Sequence, residues 1–572
     1  MSQALVRRRA GPTVAMVPEL CGAALRLALA PLRVAWRRSW IYCRFLGGRL
    51  SDRIRHQPFD AGPRRLDDAD AILRHRFRFA GEVVDIKNGS VFDCRPPTVA
   101  WATALHGFEW LAALSAAGGE AARDFASQLI SEWLQRHSRY GEPAWLPEVL
   151  ARRLVQVFAH GRFVIANSDM LWRSQLFVSL REQTAVLGRI ADEAPAALPR
   201  LEAAVACLLS CACLDDEPRR REAALERLQR ELGLQVLPDG GHISRSPEEL
   251  LATYRQVVMA LDALTAMAVP VPPWLRSAHD RMAPMLRFFR HGDGALAVFN
   301  GGGEGDARML AGLLARDEVR GQPFSHAPHS GYQRLAAGRA LAIMDCGAPP
   351  PGPFSTRACA GCLSFEFGSG SHRIVINCGA EKDASARWDG ALRATAAHST
   401  ITLADTSMLP VLAPGFARKL LGPRLVDSFP SPETGRRETS DGWLVAASHG
   451  YYMPDFGIAH RREMTLSARG TRLTGRDQLL PDSPRGGESV SFAVRFHIHP
   501  DVRVSSSLSG DILLKLPNGE GWRFRHAGTA AIEESVYVGQ GAIRRSEQLV
   551  LNGTVMDEPV EIAWMFEQIG AE

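Results

Sequence analysis

The 572-residue chain is 46% hydrophobic and 23% charged, the proportions of a folded protein with room for two or more domains, and they exclude extended disorder. Its net charge of +5 conceals an asymmetry. Residues 1–55 carry eleven Arg and no Lys against only Glu19 and Asp52, so a basic extension precedes a slightly acidic body that has no charge-based reason to bind nucleic acid.

Within the extension, the apolar run 21–35 is interrupted by Arg26 and Arg33 and is too short to span a bilayer. Arg7, Arg8 and Arg9 resemble the start of an export signal. Pro12, Pro18 and Glu19 interrupt it, however, and no small-residue cleavage site follows. Arg26, Arg33, Arg37 and Arg44 are spaced as on an amphipathic helix lying on an anionic membrane surface. A basic arm packed on its own domain satisfies the same spacing.

Residues 58–97 read as short strands or an extended entry around Phe77, Phe79 and Val83-Val84. From Thr98 the pattern is helical. Trp101, Leu105, Phe108 and Ala112 share one face, as do Leu154, Val157 and Phe158, and about nine or ten such segments run to residue 314, an array of α-hairpins with no fixed repeat. After Tyr332 the pattern changes to short strands at 341–344, 363–367, 373–377 and 400–403 and onward to 560–566, with Pro517-Asn518-Gly519 as a hairpin turn. Helices first and strands second, without βαβ alternation, exclude a Rossmann-type fold and predict a helical domain followed by an antiparallel sandwich.

Ten Cys form no disulfide framework. Cys207, Cys211 and Cys213 lie on one apolar helix and read as core. Cys359 and Cys362 form a solitary CxxC with a strand after it and no second ligand pair, so no metal site is expected. The loop NGGGEGD at 300–306 lacks the P-loop Lys and carries acids that repel phosphate; it reads as an interdomain turn. In the loop 237–247, Ser246, Pro247 and Glu249 have the spacing of a capping box, which leaves His242 and Arg245 without a local role. His326, His329 and Tyr332 cluster in sequence near the helix-to-strand change. His497 and His499 alternate with Phe496 and Ile498, which predicts an exposed His pair. A loop with Lys382, Arg387 and Trp388 precedes His398. No HExxH, GxSxG or paired-carboxylate motif is present.

DGGH at 239–242, APHSGYQRL at 327–335, LSFE at 363–366 and HST at 398–400, in this order, resemble the heparinase II/III-like proteins over residues 95–572. The resemblance implies an α+β multidomain chain. Its parts are a basic extension (1–55), an incomplete (α/α) toroid (56–320) and an antiparallel β-sandwich (321–572). It also implies a polysaccharide lyase that cleaves an acidic, uronate-containing glycan by β-elimination. That reaction needs a cation for the uronate carboxylate, a base for the C5 proton and an acid for the departing oxygen. The catalytic candidates are His242, Tyr254, Tyr332 and His398. Arg245, Gln183 and His329 are candidates for substrate binding, with Trp172 and Trp388 as sugar-stacking residues or core. Neither a metal nor a cofactor is called for. Glu249 stands where the family usually has its Tyr, Cys359-Ala360-Gly361 where it has an HxD run, and Asn377 where it has an Asp. A catalytically degenerate member that binds a glycan or a protein is therefore the alternative. The resemblance points to the cell envelope, and the basic residues 1–55 offer peripheral membrane contact there; the poor export signal keeps the cytoplasm as the other location.

Overall fold

The structure, a computed structural model, describes residues 9–44, 46, 51–60, 62, 66–166, 168–316, 323–380, 388–426, 429–484, 486–507, 510–539 and 541–570. Lys382 and Arg387 lie outside these. The chain divides into two units. A helical unit comprises Gly22–Gln235 and Ala252–Asp280, and a sheet unit comprises Met1–Cys21, Val236–Leu251 and Arg281–Glu572.

Helices in the first unit begin where the sequence offers a cap. The Thr98 hydroxyl accepts from Trp101 N (3.1 Å) ahead of Val99–His106, and the Asp169 carboxylate accepts from Trp172 N (2.8 Å) ahead of Met170–Ile190. Pro147 opens Pro147–Ile165, where its missing N–H costs nothing. The apolar stripes then bury Trp101, Leu105, Trp133, Leu154 and Phe158. Cys207, Cys211 and Cys213 are buried with them, as expected.

The N-terminal extension forms Val17–Ala28, Ala30–Arg38 and Trp40–Arg44. Its arginines follow the second reading, a basic arm packed on its own unit. Arg37 pairs with Glu193 and donates to the Tyr140 hydroxyl, and Arg38 donates to the Tyr140 carbonyl (2.7 Å), so a basic face packs inward. Leu25, Leu27, Leu29, Leu32, Trp36 and Trp40 remain exposed, Trp40 by 77%. Among the described residues no single helix is long and apolar enough to cross a membrane. Val14–Ala28 and Ala30–Arg38 reach that length and apolarity only together, bent by 43°.

The second unit holds two large antiparallel sheets. One runs in the order Ala530–Gly539, Ala542–Val555, Val490–Ile498, His372–Ile376, Phe365–Ser369, Ala340–Asp345, Tyr332–Ala337 and His326–Ala327, with Ile401–Leu403 also pairing to Val490–Ile498. The other runs Glu433–Thr439, Gly442–His449, Ile458–Ser467, Arg472–Pro481, Val560–Gln568, Gly521–His526, Ile512–Lys515 and Arg503–Ser506. Their inner faces share one core, in which Phe365 stacks on Trp564 (centroids 5.3 Å, planes 4° apart) and Phe367 meets Trp522 edge-on. The antiparallel sandwich is as the sequence predicts.

Two sequence expectations are corrected here. His497 is buried rather than exposed, and His499 is mostly covered. Val490–Ile498 has strands on both edges and cover on both faces, so its alternation does not mark a solvated side. Residues 300–306 lie wholly inside the sheet unit. Their side chains are structural: the Glu304 carboxylate accepts from the Tyr537 hydroxyl (2.5 Å).

Candidate functional site

The DGGH loop is built for close approach of backbones. A Cβ on Gly240 (φ +86°) would lie 2.0 Å from the Arg281 carbonyl oxygen, and one on Gly241 would meet the Ser330 hydroxyl at 1.9 Å. Asp239 clamps the APHSGY segment. Its carboxylate accepts from His329 N (2.9 Å), Ser330 N (2.6 Å) and the Ser330 hydroxyl (2.8 Å). Ser246 accepts from Glu249 N (3.4 Å), as the capping box requires.

Arg245 follows in a left-handed conformation (φ 60°), which carries its side chain inward. Its guanidinium pairs with Asp345, and it also donates to the carbonyls of Ser330 (2.7 Å), Gly347 (3.1 Å) and Ala348 (2.9 Å). It lies over the Tyr332 ring at 4.8 Å. The Tyr332 hydroxyl donates to the Arg245 carbonyl (2.6 Å) and accepts from Asn300 Nδ2 (2.9 Å), which also reaches Asp345 (3.2 Å). This cluster is fully enclosed. Burial pushes the Tyr332 phenol well above its usual range, and the Arg245 charge only partly opposes that. Burial pulls the Arg245 guanidinium down, but Asp345 and Tyr332 outweigh it and the net shift is upward.

His242 belongs to the same loop. Its Nδ1 accepts from Ser244 N (3.1 Å) and lies 2.7 Å from the Ser244 hydroxyl and 3.5 Å from the Glu249 carboxylate. Burial lowers its pKa, against the pull of Glu249. His398 makes its contacts elsewhere in the unit. Its Nδ1 meets the Ala394 carbonyl (2.9 Å), and burial holds its pKa at about 4. A Cβ on Gly361 would stand 2.7 Å from His398 Cδ2, so Gly361 makes room for that ring. Asn377 is a staple that donates to the Val298 carbonyl (3.0 Å) and accepts from Ser399 N (3.1 Å). Cys359 and Cys362 are buried, and burial pushes both the Cys362 and Cys378 thiols upward. His329 is exposed, and Trp388 packs against Cys378, Leu392, Ala397 and Val538.

The other candidates belong to the helical unit. Tyr254 is buried, its hydroxyl 2.9 Å from His279 Nε2, with His279 Nδ1 3.0 Å from the Asp280 carboxylate. Gln183 accepts from Arg153 Nε (2.8 Å) and donates to the Ser179 hydroxyl (2.9 Å). Trp172 is half-buried and donates to the Ser131 hydroxyl (2.7 Å).

The structure therefore brings His242, Arg245 and Tyr332 together and adds Asp239 and Asn300, to which motif reading gave no site role, and Asp345, which it missed. For Asp345 a signal existed, because it is the one charged residue ending the apolar strand Ala340–Asp345. Glu366, buried within LSFE, carries the same signal; it accepts from Val298 N (3.1 Å) and lies 2.8 Å from His291 Nε2. Among the described residues no three His, Cys, Asp or Glu side chains are grouped to hold a metal ion.

The profile of the family Heparinase II/III-like, C-terminal, matches residues 319–565. Among curated proteins, FtsZ-localized protein C of Caulobacter vibrioides is 35% identical over 490 residues, covering 83% of each chain. Among solved structures, heparinase III aligns with 98% of this chain and 92% of its own at a TM-score of 0.70 and 12% identity. A heparan sulfate lyase from Pedobacter heparinus aligns with 96% and 90% at a TM-score of 0.61 and 15% identity. At such identities these structures speak to fold alone, a toroid followed by a β-sandwich. With the sequence relative, the profile match and the shared fold in agreement, the chain belongs to the heparinase II/III-like family.

Proposed function

We propose that this chain is a non-catalytic member of its family and serves as a membrane-associated binding protein at the bacterial division site. One observation carries the reading. His242, Tyr254, Tyr332 and His398, the groups that the resemblance assigns to proton transfer, are all buried and already engaged within the protein. A β-elimination needs an acid and a base free to reach substrate, and a cation open to the uronate carboxylate. Arg245 is committed to Asp345 and backbone carbonyls, and Gln183 to Arg153 and Ser179.

The name of the Caulobacter relative, an FtsZ-localized protein, supports the division site as the place of action. The exposed Leu25, Leu29, Leu32, Trp36 and Trp40, beside Arg26 and Arg33, support peripheral contact with an anionic bilayer at the cell envelope.

The test uses the full chain. Incubation with a panel of uronate-containing glycans, glycosaminoglycans included, is expected to yield no absorbance from an unsaturated product. Pelleting with polymers of the host's FtsZ and with vesicles containing phosphatidylglycerol is expected in both cases. Turnover of any glycan in the panel overturns the non-catalytic reading and restores a lyase that acts on an acidic polysaccharide.

A further inference from the structure

The helical unit contains a cavity of about 410 Å³ between Met170–Ile190, Leu198–Cys213 and Pro218–Gln235, and no role described so far uses it. Its wall carries five guanidinium groups, from Arg181, Arg189, Arg219, Arg220 and Arg227, and a single carboxylate, Asp215. That carboxylate is already paired, 3.7 Å from Arg55. Arg227 is held by Asp192 (3.0 Å) and the Gly188 carbonyl (2.9 Å). Arg181 Nε, in contrast, is buried with no hydrogen-bond partner, and Arg219 has no ion pair among the described residues. The floor is apolar, formed by Phe177, Ala185, Cys207, Cys211 and Leu214.

Each half of this lining selects part of a ligand. Arginine forks match the oxygens of a phosphate, and a buried unpartnered N–H favours an acceptor strongly. The floor favours hydrocarbon, and the volume is that of a small-molecule site. The cavity is also tied to the helices with the exposed apolar residues. The Tyr42 ring of Trp40–Arg44 carries the Arg189 guanidinium at 5.1 Å, and Arg37 pairs with Glu193, just past the end of Met170–Ile190.

We propose that this cavity binds the phosphate head and first chain carbons of an anionic membrane phospholipid. The proposal deepens the membrane reading above and rests on it for the source of the lipid. It separates two steps: the apolar helices hold the protein at the bilayer, and the cavity selects one class of lipid there.

The experiment measures binding of a short-chain phosphatidylglycerol below its micelle concentration to the full chain, by calorimetry, with inorganic phosphate as a second titrant. Saturable binding is expected for the lipid. It should weaken at least about tenfold in Arg181→Gln with Arg219→Gln, which removes two charge-assisted contacts, and in Ala185→Phe, which fills the floor. Circular dichroism confirms that each variant is folded, and Arg219→Gln alone, on an exposed side chain, still weakens binding. Vesicle pelleting of the same proteins runs alongside. Pelleting on vesicles with no saturable binding of the short-chain lipid, or binding that the variants leave unchanged, overturns the cavity while the membrane reading stands. Binding of the lipid without pelleting upholds the cavity and sinks the membrane reading. Inorganic phosphate binding as tightly as the lipid overturns the lipid assignment.

Discussion

Arg245 is a candidate for substrate binding in the sequence and is paired with a buried acid in the fold. It stands in a polar loop three residues after His242, with Asp239, Glu248 and Glu249 as the acids near it in sequence. Its partner Asp345 is a hundred positions away, and the pair is buried. Arg245→Ala leaves that carboxylate enclosed without its cation and should cost about 3–5 kcal/mol, read as a lowered urea midpoint; Arg245→Met with Asp345→Asn should recover part of the loss. His398 makes a second case. Its motif position was legible, but not its burial beneath Gly361, which depends on a residue 37 positions earlier. Burial lowers its pKa from 6.5 to about 4. A group depressed in the folded state contributes stability that is fully present above about pH 6.5 and is lost as pH falls to 4, on the order of 3 kcal/mol. Thermal unfolding across that window should show the fall, shared with other buried histidines such as His106 and His497, and His398→Gln should make it smaller.

Among the elements, helices were the most legible, because caps and 3.6-residue periodicity are local: Thr98 and Ser246 announce starts that the fold uses. Glu433–Thr439 offers the sequence no alternation to read, because it is an edge strand with no apolar face, ETGRRET, whose exposed charges guard an unpaired edge. In the N-terminal helices the Arg spacing was legible, but which side chains stay bare was not. Trp36 and Trp40 are exposed by 53% and 77%. Trp36→Ala with Trp40→Ala should lower partitioning onto phosphatidylglycerol vesicles at least tenfold, roughly the loss of two interfacial aromatic side chains, and leave the melting temperature unchanged. An unchanged partition coefficient would remove these helices from the membrane reading.

Across the whole molecule, the sheet unit depends on charges sealed between its sheets. Asp477 accepts from Arg462 (2.8 and 3.0 Å) and Trp564 (2.8 Å) and lies 2.7 Å from His460 Nε2. Arg462 also donates to the carbonyls of Leu363 (2.8 Å) and Ser399 (2.7 Å), so the motif-bearing segment is tied to the second sheet. Burial raises the Asp477 pKa, but Arg462 and His460 outweigh it and hold the carboxyl well below the usual range. That stability is present above the unfolded carboxylate pKa, about 3.9, and is lost as pH falls below it. Acid unfolding of the sheet unit should therefore steepen below about pH 4, and Asp477→Asn should destabilise at neutral pH while making that step smaller, Asp293 still contributing to it. Family and fold class were decided by the sequence alone, because motif order, caps and hydrophobic period are properties of neighbours along a chain. That Tyr332, His242 and His398 are buried and hydrogen-bonded was decided only by the tertiary structure. Burial and hydrogen-bond partnership depend on residues such as Asp345, Asn300 and Gly361, which only folding brings into contact.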